Sequence, residues 1–158
     1  MEEERIEKAV ALFKEGFNCS QSVVAAFADK YGFTQDQALR MSASFGGGIG
    51  RMRETCGAAC GLFLLAGLET GCTEGSNREG KAANYALVQE LAKEFIERNG
   101  ALKCADLLGL SQKEPVVSTP EARTEKYYAK RPCAKMVEEA ARIWCENLDK
   151  HGDRADKE

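Results

Sequence analysis

Apolar residues recur every three to four positions along almost the whole of this chain, and that period leaves few folds open. Ile6, Ala9, Val10 and Phe13 form one stripe, and Val88, Leu91, Ala92 and Phe95 form another, each the signature of a helix with one buried face. No segment alternates as a half-buried strand would, so the expected class is all-α. The punctuation agrees. Gly16, Gly32, Gly71 and Gly100 stand where C-terminal caps belong, and Asn18, Thr34, Thr55 and Ser76 stand where N-caps belong. These signals predict helices near 2–15, 19–31, 34–45, 56–70, 77–99 and 133–149, with a short turn at 104–109, giving a bundle of about six helices. Residues 110–131, LSQKEPVVSTPEARTEKYYAKR, hold two prolines and no sustained stripe, which reads as a long connection laid over the bundle before the last helix.

A chain of 158 residues with 44% apolar content can build one sizeable core, so a single domain is expected over 1–150, with a flexible polar tail at 151–158. The net charge of −3 argues against non-specific binding to nucleic acid or to an anionic membrane surface. The longest apolar run, Ala58 to Leu68, covers eleven residues, about half of what a membrane-spanning helix needs. The opening MEEERIEKAV is acidic and helical in pattern rather than signal-like. A soluble, cytoplasmic protein is the expectation. In a reducing compartment the seven cysteines point to thiols, metal ligands or transient redox pairs rather than to a disulfide framework.

On this map Cys19, Cys56, Cys104 and Cys133 each fall in the first turn of a helix. The partial positive charge there favours a thiolate by about 0.3–1 kcal/mol, and more when basic neighbours add to it. Each is also in phase with its helix's apolar stripe: Cys19 with Val23, Ala26 and Phe27, and Cys133 with Val137, Ala140 and Trp144. If short connections make successive helices antiparallel, helices two and four begin at one end, and helix five finishes there just before Cys104. Three cysteines would converge, and Cys133 joins them if the last helix runs parallel to helix four.

The segment Gly46-Gly47-Gly48-Ile49-Gly50-Arg51 lies at that same end. Glycine lets backbone approach a buried group closely, so the loop is expected to wrap the sulfurs, with Arg51 and Arg53 near any negative charge. It is no phosphate cradle by signature, because neither Gly-Lys-Ser/Thr nor a third fingerprint glycine follows.

Asn18-Cys19, the FGGGIGR loop, Cys56-Gly57-Ala58-Ala59-Cys60-Gly61, Cys104 before Asp106-Leu107-Leu108-Gly109, and Cys133 occur in that order. The combination resembles the C-GCAxxG-C-C family of redox-active proteins, over about residues 5 to 145. The resemblance implies four characteristic cysteines and a redox role. The family is also similar to split-Soret cytochrome c, but here a C-x-x-C-H motif is absent and the single histidine, His151, lies in the tail, so covalent haem is not expected.

Three readings of the cysteines follow. In the first, Cys56 attacks a disulfide or small oxidant, or exchanges with a redox partner protein, and Cys19, Cys104 or Cys133 resolves the product. Cys60 is one helical turn from Cys56, so a bond between them would be strained unless that turn unwinds. In the second, Cys19, Cys56, Cys104 and Cys133 ligate a metal or iron–sulfur cluster, with Gly46, Gly47, Gly48, Gly50, Arg51 and Cys60 around it. In the third, the cysteines are small buried hydrophobes, the reading preferred for Cys72 and Cys145. Whether the protein is an enzyme, a carrier or a sensor, and whether it forms a homo-oligomer, are left open. Tyr127, Tyr128 and Arg131 form either a cover over the site or a clamp onto the bundle, and Asp106 and Glu54 are first-turn carboxylates serving their helices.

Overall fold

A computed structural model describes residues 2–110, 116–130 and 132–151. Among these it contains eight α-helices and no strand: α1 (Glu2–Lys14), α2 (Cys19–Ala25), α3 (Gln35–Ser42), α4 (Gly57–Thr70), α5 (Arg78–Asn99), α6 (Cys104–Leu108), α7 (Glu125–Lys130) and α8 (Cys133–His151). The expected all-α class holds.

Local chemistry sets most boundaries. Glu2, Glu3 and Glu4 in the first turn of α1 and Lys14 in its last complement the helix dipole. Asn18 and Thr34 cap α2 and α3 through reciprocal bonds with Gln21 and Gln37. Two expected caps shift by one residue: Cys56 rather than Thr55 precedes α4, and Asn77 rather than Ser76 caps α5. Thr55 is unavailable because it pairs in an isolated antiparallel bridge with Lys103. The long helices expected at 19–31 and 34–45 each break into an α-helix followed by a 3₁₀ turn, at Ala28–Tyr31 and Ala43–Phe45. The first break turns the chain into Gly32, which closes it with a left-handed φ of 79°.

The core is built around α4, which packs on α2, α5 and α8, while α1 packs on α2 and α8. Its buried residues lie around much of its circumference, from Ala58 and Ala59 to Leu62, Leu65 and Ala66, as expected of a helix enclosed by others. Phe13, Phe27, Phe95 and Trp144 fill the spaces between. Gly61 sets the closest approach, since a Cβ there would lie 2.8 Å from the Cβ of Val23. The α2 and α4 backbones therefore run side by side, with Cys19 next to Gly57 at their common beginning.

The connection before the last helix departs from expectation by containing α7. Thr124 starts it, its hydroxyl accepting the Tyr127 N–H at 3.2 Å. Arg131 and the part of the connection at 111–115 lie outside the described residues, as does the tail from 152. His151 itself belongs to α8.

Candidate functional site

Between α3 and α4 the chain makes a turn of unusual hand. Gly47, Gly48, Ile49, Gly50 and Arg51 have φ values of 66°, 77°, 64°, 58° and 61°, and Arg53 follows at 62°. Left-handed backbone costs a non-glycine residue about 1–2 kcal/mol, so Ile49, Arg51 and Arg53 hold this shape only because the surroundings impose it. Gly50 N–H donates to the Ser44 carbonyl at 2.7 Å and Arg51 N–H to that of Gly46 at 3.1 Å. Asn18, which caps α2, also donates its side-chain amide to Ala43 O at 2.9 Å. One residue thus fixes both the start of α2, where Cys19 sits, and the entry to the loop.

Three backbone bonds then tie the loop to the start of α6: Cys104 N–H to Glu54 O at 2.6 Å, Ala105 N–H to Arg53 O at 3.2 Å, and Cys56 N–H to Leu102 O at 2.8 Å. Gly48 lies flat on Cys104, where a Cβ would stand 2.6 Å from the cysteine's Cβ. The first donors of α6 are consequently spent on loop carbonyls. What faces the Cys104 sulfur is Arg53, whose Nη1 donates to Sγ at 3.7 Å.

Cys19, Cys56, Cys104 and Cys133 line one cavity of about 430 Å³, roofed by residues 118–127 and walled by the glycine loop. None of the four is in a disulfide. The neighbouring Cys133 thiol, through its hydrogen-bonding interaction, followed by burial and by Cys133's charge, raises the Cys19 thiol well above its ordinary value. Burial pushes the Cys56 thiol up to about 12, although the Ala58 and Ala59 N–H groups at the start of α4 pull the other way. The thiolate stabilisation expected from helix termini is thus present at Cys56 and overwhelmed by loss of solvent. Among the described residues no group of three or more His, Cys, Asp or Glu is arranged to hold a metal ion, so the four thiols share a cavity without forming a ligand set in this geometry.

Other residues fall on either side of the boundary. Gly46, Gly47, Gly48, Gly50 and Arg51 line the cavity, and Arg51 also binds the roof by donating to the carbonyls of Val117, at 2.6 Å, and Thr119. Cys60 is not among the lining residues; its thiol faces the Thr55 carbonyl, and burial raises it to about 11. Cys72 meets Glu74 O, and Cys145 is buried against Glu2 O. Tyr127 lines the cavity while Tyr128 packs edge-on to Phe13 and donates to Lys14 O, so the tyrosine pair acts as cover and clamp together. Arg123 has no counterpart in the sequence reading. It lies 4.3 Å from the Phe13 ring centroid and donates to Phe13 O and Phe17 O, anchoring the roof to α1. The only advance signal is an arginine between Pro120 and the tyrosine pair.

No solved structure matches the chain. A relative from Archaeoglobus fulgidus, described as an uncharacterized protein, is 26% identical over 148 residues, covering 89% of this chain and 91% of its own. The family profile described as "Putative redox-active protein (C_GCAxxG_C_C)" matches residues 17–147, a span containing all four cavity cysteines, and the chain belongs to that family.

Proposed function

We propose that the protein carries out two-electron thiol–disulfide chemistry, with Cys19 and Cys133 as the exchanging pair. The observation that carries the reading is their placement: Cys19 and Cys133, first residues of α2 and α8, line the same cavity, and Cys133 is the neighbour that most strongly keeps the Cys19 thiol protonated. A thiol that keeps its proton beside a second sulfur favours negative charge on that sulfur, so Cys133 attacks first and Cys19 keeps its proton until the second step. With a disulfide RSSR as acceptor, the Cys133 thiolate bonds to one sulfur and expels RS⁻. Cys19 then gives up its proton, to the RS⁻ already expelled, and attacks the Cys133 sulfur, forming a Cys19–Cys133 bond and releasing the second RS⁻. One protein thiolate, one protein thiol and one disulfide become one protein disulfide, one small thiol and one small thiolate. Both cysteines begin their helices, where side chains can turn toward each other without unwinding a turn, unlike Cys56 and Cys60. The family's redox description supports the class of chemistry; the choice of pair is ours. The acceptor is a small oxidant or a redox partner protein.

Mild oxidation of the anaerobically reduced protein should remove two thiols and link the tryptic peptides containing Cys19 and Cys133. Cys19→Ser and Cys133→Ser should each abolish the two-thiol loss. A bond mapped to Cys56 and Cys60, or stoichiometric iron or zinc in the anaerobically purified protein, would overturn the assignment.

A further inference from the structure

Arg53 is a cation with almost nothing to answer it. Among the described residues its guanidinium has a single partner, the Cys104 sulfur at 3.7 Å. A guanidinium offers five donors, so most of this one's capacity is unspent. Its place is fixed all the same, because Ala105 N–H holds the Arg53 carbonyl, Cys104 N–H holds that of Glu54, and the backbone at Arg53 is left-handed. The cavity it faces also carries Arg51 and Arg123 against one carboxylate, Glu121. A volume of about 430 Å³ lies within the range of small-molecule sites.

We propose that Cys104 and Arg53 are the capture position for low-molecular-weight disulfides bearing carboxylates, which enter the cavity with a carboxylate on Arg53 and a sulfur on Cys104. The proposal rests on the thiol–disulfide reading, supplies its substrate class, and for these disulfides puts Cys104 ahead of Cys133, which then attacks the Cys104 mixed disulfide in place of the free acceptor. Arg53, 3.7 Å from the Cys104 sulfur, takes the substrate carboxylate and so seats a disulfide sulfur beside Cys104. The Cys104 thiolate attacks one sulfur of RSSR, forming Cys104–S–S–R and releasing RS⁻. Cys133, its proton passing to that RS⁻, attacks the Cys104 sulfur and releases the second RS⁻. Cys19 then loses its proton to this second RS⁻ and attacks Cys133, giving the Cys19–Cys133 disulfide and returning Cys104 as the thiolate. Electrons and protons balance as two protein thiols oxidised and one disulfide reduced to two thiols.

The test compares dithiodiglycolate, with two carboxylates, and cystamine, with two ammonium groups, on the full reduced chain. Arg53→Gln should slow oxidation by dithiodiglycolate about tenfold or more, the worth of a charge-assisted bond, and leave the cystamine rate within about twofold. Arg53→Lys, keeping the charge, should recover part of the loss. In Cys133→Ser the dithiodiglycolate adduct should stall on Cys104. Equal slowing of both probes by Arg53→Gln, no slowing of either, or an adduct on a different cysteine would overturn the capture position. A Cys104 adduct in Cys133→Ser without a Cys19–Cys133 bond in the unaltered protein would uphold capture and sink the pairing instead.

Discussion

Two arginines show how differently the same side chain is used in two seams of this molecule. Arg98, on α5, faces α8 and is surrounded by carboxylates: Glu94 at 2.8 Å, Glu139 at 3.3 Å and Glu146. Arg53, in the seam between the glycine loop and α6, has one thiol among the described residues. The first is a charge spent on holding helices together, on regular helical backbone free of left-handed strain. The second sits on backbone that costs free energy, in a wall of the cavity, with its charge largely unanswered. Unspent charge on strained backbone is the pattern of a site built for a ligand, whereas a saturated ion-pair network at a helix seam is the pattern of structure.

The comparison breaks most readily at Gly48. In Gly48→Ala the new Cβ would meet the Cys104 Cβ at 2.6 Å and the backbone of Arg53 and Glu54 at 2.8 Å, at a φ of 77°. These are not flexible ends that can move aside. Chemical denaturation should show a loss of about 3 kcal/mol or more, together with loss of selective labelling at Cys104. Gly50→Ala is the control. Its φ is also left-handed, at 58°, but the nearest atom is Ser44 O at 3.9 Å, so the cost should be only about 1 kcal/mol.

A comparable effect is expected from pH, acting at the thiol that burial controls. Cys56 is raised to about 12 by loss of solvent, so between its ordinary value near 9 and that higher value the native state holds a proton the unfolded chain has lost. Stability from this group is fully present below pH 9 and declines as pH rises toward 12, by up to roughly 3–4 kcal/mol if no other group intervenes. Cys56→Ala should flatten the decline in denaturation midpoints over that window. An unchanged slope would mean that Cys56 is not held neutral by burial. At neutral pH, iodoacetamide should label Cys104, beside its arginine, before Cys56.

Much of this arrangement was legible from residue spacing. The helical stripes located six helices, two of them cut short by 3₁₀ turns, and the start positions of Cys19, Cys56, Cys104 and Cys133 located their common cavity, because a helix's first residue is marked by capping chemistry that local sequence encodes. What escaped was set by contacts between distant segments. Thr55 is a good N-cap by type, yet its pairing with Lys103 passes the capping position to Cys56. The helix α7 has six residues and no stripe, and only Thr124 followed by Glu125 announces it. The helix termini were expected to activate the thiols, but the α6 donors are taken by loop carbonyls and burial outweighs the α4 donors at Cys56. Left-handed conformations at Ile49, Arg51 and Arg53 have no signature in residue type, since each disfavours them.

The finest test of the contrast between the two arginines asks for effects of opposite sign. Arg98→Ala removes a partner shared by three carboxylates and strips an aliphatic stem from the α5–α8 seam. Its side chain is 24% exposed, so screening limits each ion pair to a few tenths up to about 1 kcal/mol, and a total loss of about 1–2 kcal/mol is expected, shrinking as salt rises. Arg53→Gly removes a side chain from a position where φ is 62°. Glycine adopts that conformation without the penalty arginine bears, so stability should rise, by about 1 kcal/mol or slightly less, while oxidation by dithiodiglycolate slows. Paired denaturation curves and rates for the two variants read both signs at once. A loss of stability in Arg53→Gly comparable to that in Arg98→Ala would mean that Arg53, too, is a structural cation, and the unspent charge in the cavity wall would need a different account.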